Sequence, residues 1–189
     1  MITGHFGLAA AVKSVERPVP LWALMLATVW LDVLFTPLLL TGVERLDPVP
    51  GTTGGYGNKI IHADYTHSLL GALVIASLTG LLAARWWGRR SGTVIGAVVF
   101  SHWLLDLLVH RTDMPLLPGD LGGFPRLGLG LWRYPLLTAI IEAAIMLAGT
   151  ALYWRAATRT GGSVRRVAVV TGLMAVVGAV TLALDVAGV

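Results

Sequence analysis

Apolar runs of about 20 residues dominate this chain of 189 residues. Hydrophobic residues make up 56% of the sequence and charged residues 13%, and the mean hydropathy is +0.76. A helix of about 20 residues crosses a hydrocarbon core of roughly 30 Å. We therefore predict an all-α integral membrane bundle that forms one domain over residues 1–189. About five transmembrane helices are expected, at about 21–40, 68–87, 93–110, 135–154 and 167–187.

The first 13 residues are mildly apolar but too short to span a membrane, and Pro18 and Pro20 follow them. We predict an interfacial or re-entrant helix there, and we find no pattern typical of a signal peptide. Pro37 lies inside the first span and predicts a kink. Polar loops are expected at residues 43–66 and 111–134.

The basic residues predict the orientation of the bundle. Nine of them fall on one side of the predicted spans, namely Lys13, Arg17, Arg85, Arg89, Arg90, Arg155, Arg159, Arg165 and Arg166. The other side has five, namely Arg45, Lys59, Arg111, Arg126 and Arg133. Cytoplasmic loops are enriched in Lys and Arg, so the N-terminus is predicted to be cytoplasmic and both polar loops to be external. This topology also explains the net charge of +4 without a nucleic-acid partner.

Titratable side chains interrupt the third predicted span. His102, Asp106 and His110 are spaced by four residues, which places them along one stripe of a helix. His62 and His67 precede the second span, so four of the five histidines fall in two clusters, His62/His67 and His102/His110. Because the chain has no cysteine, a metal here would be held by imidazoles and carboxylates. A bound divalent ion, or two, is one interpretation, and a hydrogen-bonded pair of His102 and Asp106 that only locks helices together is the other.

Carboxylates in other spans extend this candidate site. Asp32 lies about halfway along the first span, at a depth similar to that of His102, so the two side chains could meet. Glu142 lies near the middle of the fourth span and is a candidate ligand, general base or partner of a ligating histidine. Ionisable groups at membrane depth are costly and are often functional.

Four short motifs resemble the bacterial inner-membrane metal-dependent hydrolase family, also described as LexA-binding, inner-membrane-associated hydrolases. The motifs are Thr3–Gly4–His5, Asp32 in the first span, Thr66–His67–Ser68, and Ser101–His102 followed by Asp106. The order of these residues is also similar to that in zinc-dependent phospholipases C, which are all-helical phosphodiesterases. The resemblance covers about residues 3–113 and implies that the metal ligands are His5, Asp32, His67, His102 and Asp106.

The chain departs from the family pattern at two places. The family often has two carboxylates in the first span, whereas this chain has only Asp32. It also often has His-Arg-Gly before the Thr-His-Ser motif, whereas this chain has His62–Ala63–Asp64. Asp64 is a candidate to replace the missing carboxylate.

We expect from these observations a hydrolase of the bacterial inner membrane whose site faces the outer side. A divalent metal, most simply zinc, would activate a water that attacks a phosphoester or a similar lipid-like or small-molecule substrate. Asp64 or Glu142 would act as general base, and His62 or His110 would orient a ligand or act as general acid. The alternatives are a permease that carries a metal ion, protons or a small solute along the same path, and a structural membrane protein. Membrane lipids are expected partners, and a homo-oligomer is left open.

Overall fold

The computed structural model describes residues 1–52 and 55–187. About 69% of the chain is helical, so the expected all-α architecture is confirmed at this level. The helices of the described part are α1 (Ile2–Lys13), α2 (Leu21–Thr28), α3 (Trp30–Leu40), α4 (Leu69–Val109), α5 (Pro135–Arg159) and α6 (Val164–Ala187). The polar loop at 43–66, of which residues 53 and 54 lie outside the described part, forms an antiparallel hairpin of β1 (Arg45–Pro48) and β2 (Lys59–His62).

Three helices, α4, α5 and α6, are long and apolar enough to cross a membrane. The pair α2 and α3 makes a fourth candidate if it is counted as one bent span. These numbers are smaller than the five spans expected from the sequence. The main reason is that the second and third expected spans belong to a single element, α4, of 41 residues.

Gly88 divides α4 into two arms, residues 69–87 and 89–109. Its backbone has φ 80° and ψ 166°, outside the helical region, and glycine adopts this conformation without the steric cost of a side chain. The two arms fold back on each other and their backbones come into contact. A Cβ atom added to Gly80 would lie only 2.8 Å from the Gly92 carbonyl oxygen. At the open end of the two arms, the Trp103 indole donates to the His67 carbonyl over 2.9 Å. The sharp turn at Gly88 therefore brings the start of α4 beside its end.

The first expected span is bent at Val29 and not at Pro37. Helices α2 and α3 meet there at 51°, and Val29 has φ −114° and ψ 15°, whereas Pro37 lies inside α3. The break places Thr28, the last residue of α2, and Asp32, in the first turn of α3, on either side of a bend.

Helix α1 is not interfacial, because it lies inside the bundle. Thr3, His5, Ala9 and Ala10 are almost completely inaccessible to solvent. Small residues permit this burial: a Cβ atom on Gly7 would lie 2.6 Å from the backbone of Ile145 in α5. Close backbone approach through small residues is how helices pack within membranes.

The two ends of α1 lie at opposite ends of the bundle. Met1 lines a cavity together with Tyr56 and Trp132 of the polar loops, whereas Lys13 lines a cavity with Arg166. Residue 1 therefore lies at the end of the bundle that holds the polar loops. The sequence had predicted the N-terminus on the opposite side, with Lys13, and this prediction is wrong. His5 is consequently at the end of the bundle where the other histidines lie.

Candidate metal centre

Asp106, on the second arm of α4, lies at the centre of a buried cluster. Its Oδ2 atom is 3.0 Å from Nε2 of His102, one turn earlier on the same arm. Its Oδ1 atom is 3.2 Å from Nε2 of His5 on α1. The turn at Gly88 adds His67, whose Nε2 is 3.2 Å from that of His102, and the bend at Val29 adds Asp32. The structure thus brings together the five residues that the family resemblance implied as ligands.

Four atoms of this cluster lie close to one another, and the five distances between them that include a histidine nitrogen are 3.0–3.7 Å. The four atoms are Nε2 of His67, Nε2 of His102, Oδ1 of Asp32 and Oδ2 of Asp106. The His102 nitrogen lies 3.0 Å from the Asp106 oxygen and 3.2 Å from the His67 nitrogen. The Asp32 oxygen lies 3.4 Å from the His67 nitrogen and 3.5 Å from the His102 nitrogen. The His67 nitrogen lies 3.7 Å from the Asp106 oxygen. Ligands bonded to zinc at about 2.0–2.2 Å in a tetrahedron are separated by roughly 3.3–3.6 Å. Two groups that share His102, namely His5, His102 and Asp106, and Asp32, His67 and His102, could therefore hold a metal ion.

The tautomer of His102 is fixed by the bend in the first span. Its Nδ1 atom is 2.8 Å from the carbonyl oxygen of Thr28, and a carbonyl can only accept a hydrogen bond. Nδ1 therefore carries a proton, so Nε2 is the nitrogen that presents a lone pair to the cluster when the ring is neutral, as it must be to bind a metal. A ligating histidine is commonly oriented in this way, by a hydrogen bond from its other nitrogen.

His67 is oriented by a relay from Glu44, a fully buried residue just before β1. Glu44 accepts hydrogen bonds from the backbone amides of Tyr65 and Thr66, both over 2.9 Å. It also accepts one from the Thr66 hydroxyl over 3.0 Å. Because that hydroxyl proton is committed to Glu44, Thr66 Oγ1 accepts from Nδ1 of His67 over 2.9 Å. Nε2 of His67 therefore also presents a lone pair to the cluster.

Two imidazole lone pairs and two carboxylates thus converge on one small volume. Acceptors that face one another at 3.0–3.7 Å repel unless a cation lies between them. A single proton can join only two of these atoms, whereas a divalent ion can bind all four. The chemistry of the donor set therefore fits a hard or borderline divalent ion such as zinc.

His110, at the end of α4, forms a dyad with Asp113. Its Nδ1 atom donates to Asp113 Oδ1 over 3.0 Å, and Asp113 Oδ2 accepts from the amide of Ile61. Nε2 of His110 lies 3.7 Å from Asp106 Oδ2. This nitrogen therefore faces the cluster, at a distance that suits proton transfer to or from a molecule bound there.

His5 completes the inner wall of the cluster. Its ring stacks on that of His102 with centroids 4.0 Å apart, and the Thr28 hydroxyl donates to its carbonyl oxygen. Its buried Nδ1 atom has no hydrogen-bond partner within residues 1–52 and 55–187. His5 can act as a further ligand or, through Nε2, as a donor that orients Asp106.

Three candidate catalytic residues lie outside this cluster. Asp64 pairs with Arg126 at 3.1 Å, and His62 pairs with Asp47 at 2.9 Å on the β-hairpin. Glu142 is fully buried but binds the Tyr56 hydroxyl over 2.8 Å and the Gly4 amide over 3.2 Å. Burial and this hydrogen bond to Glu142 raise the pKa of Tyr56. Asp64 therefore links the two polar loops, His62 links the two strands of the β-hairpin, and Glu142 links the first polar loop and the start of α1 to α5.

Sequence reasoning missed Glu44 and Thr28. Glu44 stands beside Arg45 in a polar loop, where a charged residue is normally solvated. Thr28 acts on His102 through its backbone carbonyl. Every residue has this group, so the residue type gives no indication of the contact. The Thr66–His67 pair was the only local signal, because a hydroxyl next to a histidine can reach its Nδ1 atom.

Comparisons with known proteins give no assignment. No family model matches the chain, and neither a curated protein nor a solved structure matches it. The resemblance to inner-membrane hydrolases therefore stays an expectation that rests on the short motifs alone.

Proposed function

We propose that this protein is a membrane-embedded, metal-dependent hydrolase related to the inner-membrane hydrolases that its motifs resemble. The observation that carries the proposal is the convergence of Asp32 and Asp106 on the Nε2 atoms of His67 and His102, over distances of 3.0–3.7 Å that suit ligands of one ion. When bound, a zinc-type ion supplies Lewis acidity, which lowers the pKa of water from 15.7 to about 7.

The residues around the cluster supply the remaining functions of a hydrolase. His110 acts as general base and general acid, because Asp113 holds its Nδ1 proton and leaves Nε2 facing the cluster. For a phosphoester, the bond from the water oxygen to phosphorus forms as the bond to the leaving oxygen breaks. The proton lost by the water reaches the leaving oxygen through His110. Such acid–base catalysis typically contributes 10²–10⁴ in rate.

We also propose five membrane crossings. The arms of α4 cross once each, because Gly88 reverses the chain between them, and α2–α3, α5 and α6 account for the other three. The nine basic residues then lie at the cytoplasmic end, in accord with the positive-inside tendency. The candidate metal centre falls in the outer half of a bacterial inner membrane.

Metal content of the detergent-purified protein tests the proposal. We expect about one zinc or manganese ion per chain in the wild type, as in Asp47→Ala, which removes a carboxylate outside the cluster. Asp106→Ala should lose the ion and the metal-dependent hydrolysis of bis(p-nitrophenyl) phosphate. His110→Ala should retain the ion but hydrolyse at least 100-fold more slowly. A metal-free wild type would refute the proposal.

The same variants separate the competing functions. A permease would bind the ion, show no hydrolysis, and lose uptake into vesicles in Asp106→Ala. A structural protein would show neither activity, and Asp106→Ala would change only its thermal stability.

A further inference from the structure

Asp32 is the one exposed group among the side chains that form the candidate metal centre. Its side chain is 43% exposed, whereas those of His5, His67, His102, Asp106 and His110 are at most 6% exposed. The cluster is therefore reached from the side on which Asp32 lies, the side of α3.

Helix α3 presents an apolar surface to its surroundings. Leu31 is its only fully buried residue, and Val33 and Leu40 are 40% and 82% exposed. Together α2 and α3 satisfy the length and hydropathy of one bent span, and Asp32 lies near the middle of that pair. A surface of this composition at mid-span faces hydrocarbon.

The polar end of the bundle covers the cluster from the other direction. The Trp132 ring lies over that of His110 with centroids 4.4 Å apart, and β2 binds Asp113 through Ile61. The second polar loop is tied to the start of α4 by the bond from the Leu69 amide to the Pro115 carbonyl. Water-soluble molecules therefore meet two polar loops before they reach the histidines.

Phe35 and Thr36 flank the exposed side of Asp32, one turn further along α3. The Phe35 ring stands edge-on to that of His67 with centroids 5.9 Å apart. The Thr36 hydroxyl bonds back to the Asp32 carbonyl over 2.8 Å, and Thr36 itself is exposed. Both residues therefore share the face of α3 on which the exposed side chain of Asp32 lies.

We infer that the substrate is an acyl lipid that enters the centre laterally from the membrane, past Asp32, Phe35 and Thr36. This inference rests on the proposed hydrolase function. The ester or phosphoester group of the lipid reaches the metal ligands through the opening at Asp32. Its acyl chains remain in the membrane along the apolar surface of α3, so they need no pocket within the bundle.

Single-cysteine variants can test this route cleanly, because the natural chain has no cysteine. Thr36→Cys probes the lateral route, Lys59→Cys probes the polar end, and Leu147→Cys is a matched control on the exposed face of α5. Each is labelled with a bulky maleimide and assayed on long-chain phosphatidylglycerol in mixed micelles. We expect at least a 10-fold loss of turnover for labelled Thr36→Cys and less than a 2-fold loss for the other two. Loss in labelled Lys59→Cys with none in labelled Thr36→Cys would overturn the inference.

A spin label at position 36 gives a readout that does not depend on turnover. We expect its collision rate with oxygen to exceed that with a water-soluble nickel chelate, as it should for the control label at position 147. A label that collides mainly with the chelate would show an aqueous surface, and Thr36→Cys chains that cross-link efficiently into a dimer would show a protein interface. Either result overturns lateral entry and leaves the metal centre and hydrolysis intact. Absence of metal and of all turnover, in contrast, is the failure of the proposed function.

Discussion

At the scale of single residues, the candidate centre depends on groups that set the tautomers of its histidines. The Thr28 carbonyl holds the Nδ1 proton of His102, and Glu44 holds that of His67 through Thr66. Both rings consequently present Nε2 to the same point. Partners of this kind raise the basicity of the ligand and fix its orientation.

Glu44→Gln should weaken metal binding by about 10–100-fold, the usual effect of changing a group that orients a ligand. Glutamine retains an oxygen for the amides of Tyr65 and Thr66 but removes the negative charge behind His67. The measurement is competition for zinc against a chelator of known affinity. Glu16→Gln is the matched control, because Glu16 is also buried but accepts from Ser91 at the opposite end of the bundle. Equal affinities in the two variants would contradict this role for Glu44.

At the scale of elements, the position of α1 depends on its contact with α5. Gly7 and Gly149 bring the two backbones into contact, and Thr3 reaches Thr181 on α6 over 2.6 Å. These contacts hold His5 against His102 and Asp106. A helix as short as α1 has little stability of its own, so its packing decides where His5 lies.

Gly149→Val should lower both thermal stability and metal affinity. A side chain at this position meets the Gly7 carbonyl group, and overpacking of this kind typically costs about 1–3 kcal/mol. Gly172→Val is the control, because a Cβ atom there meets no atom within 4 Å and valine has the same helix propensity in both helices. Thermal unfolding with zinc titration measures both effects. Equal unfolding temperatures for the two variants would show that the α1–α5 contact is not limiting.

At the scale of the whole molecule, the centre joins segments that are far apart in the chain. His5 comes from α1, Asp32 from α3, and His67 from the turn before α4, while His102 and Asp106 come from its second arm. An ion bound to these groups would cross-link α1, α3 and both ends of α4. Its binding free energy would then contribute to the stability of the fold.

Removal of the metal should therefore lower the unfolding temperature of the wild type. Free metal at 100 times its dissociation constant stabilises a folded protein by about 2.7 kcal/mol, and a chelator abolishes this contribution. Asp106→Ala should unfold at the same temperature with and without the chelator. An equal response of both proteins would mean that the chelator acts elsewhere.

Several features of the molecule could be predicted from the sequence because they depend on local pattern. Hydropathy over windows of about 20 residues indicates a helical membrane protein, and the spacing of four residues indicates that His102 and Asp106 share a helix face. The placement of Asp32 at the depth of His102 followed from its position in the first span. The count of helices long enough to span a membrane is lower than the five expected, because the second and third expected spans form the single element α4, which turns at Gly88.

The sequence by itself indicated an all-helical protein with membrane-span candidates and the residues that could bind a metal, since side-chain type and periodicity are properties of the chain. Only the tertiary structure decided that α1 is buried, that the first span bends at Val29, and that Glu44 supports His67. Each of these depends on contacts between segments separated by 20 to more than 100 residues. Such contacts leave no local signature, because many different partners could satisfy the same glycine, carbonyl or carboxylate.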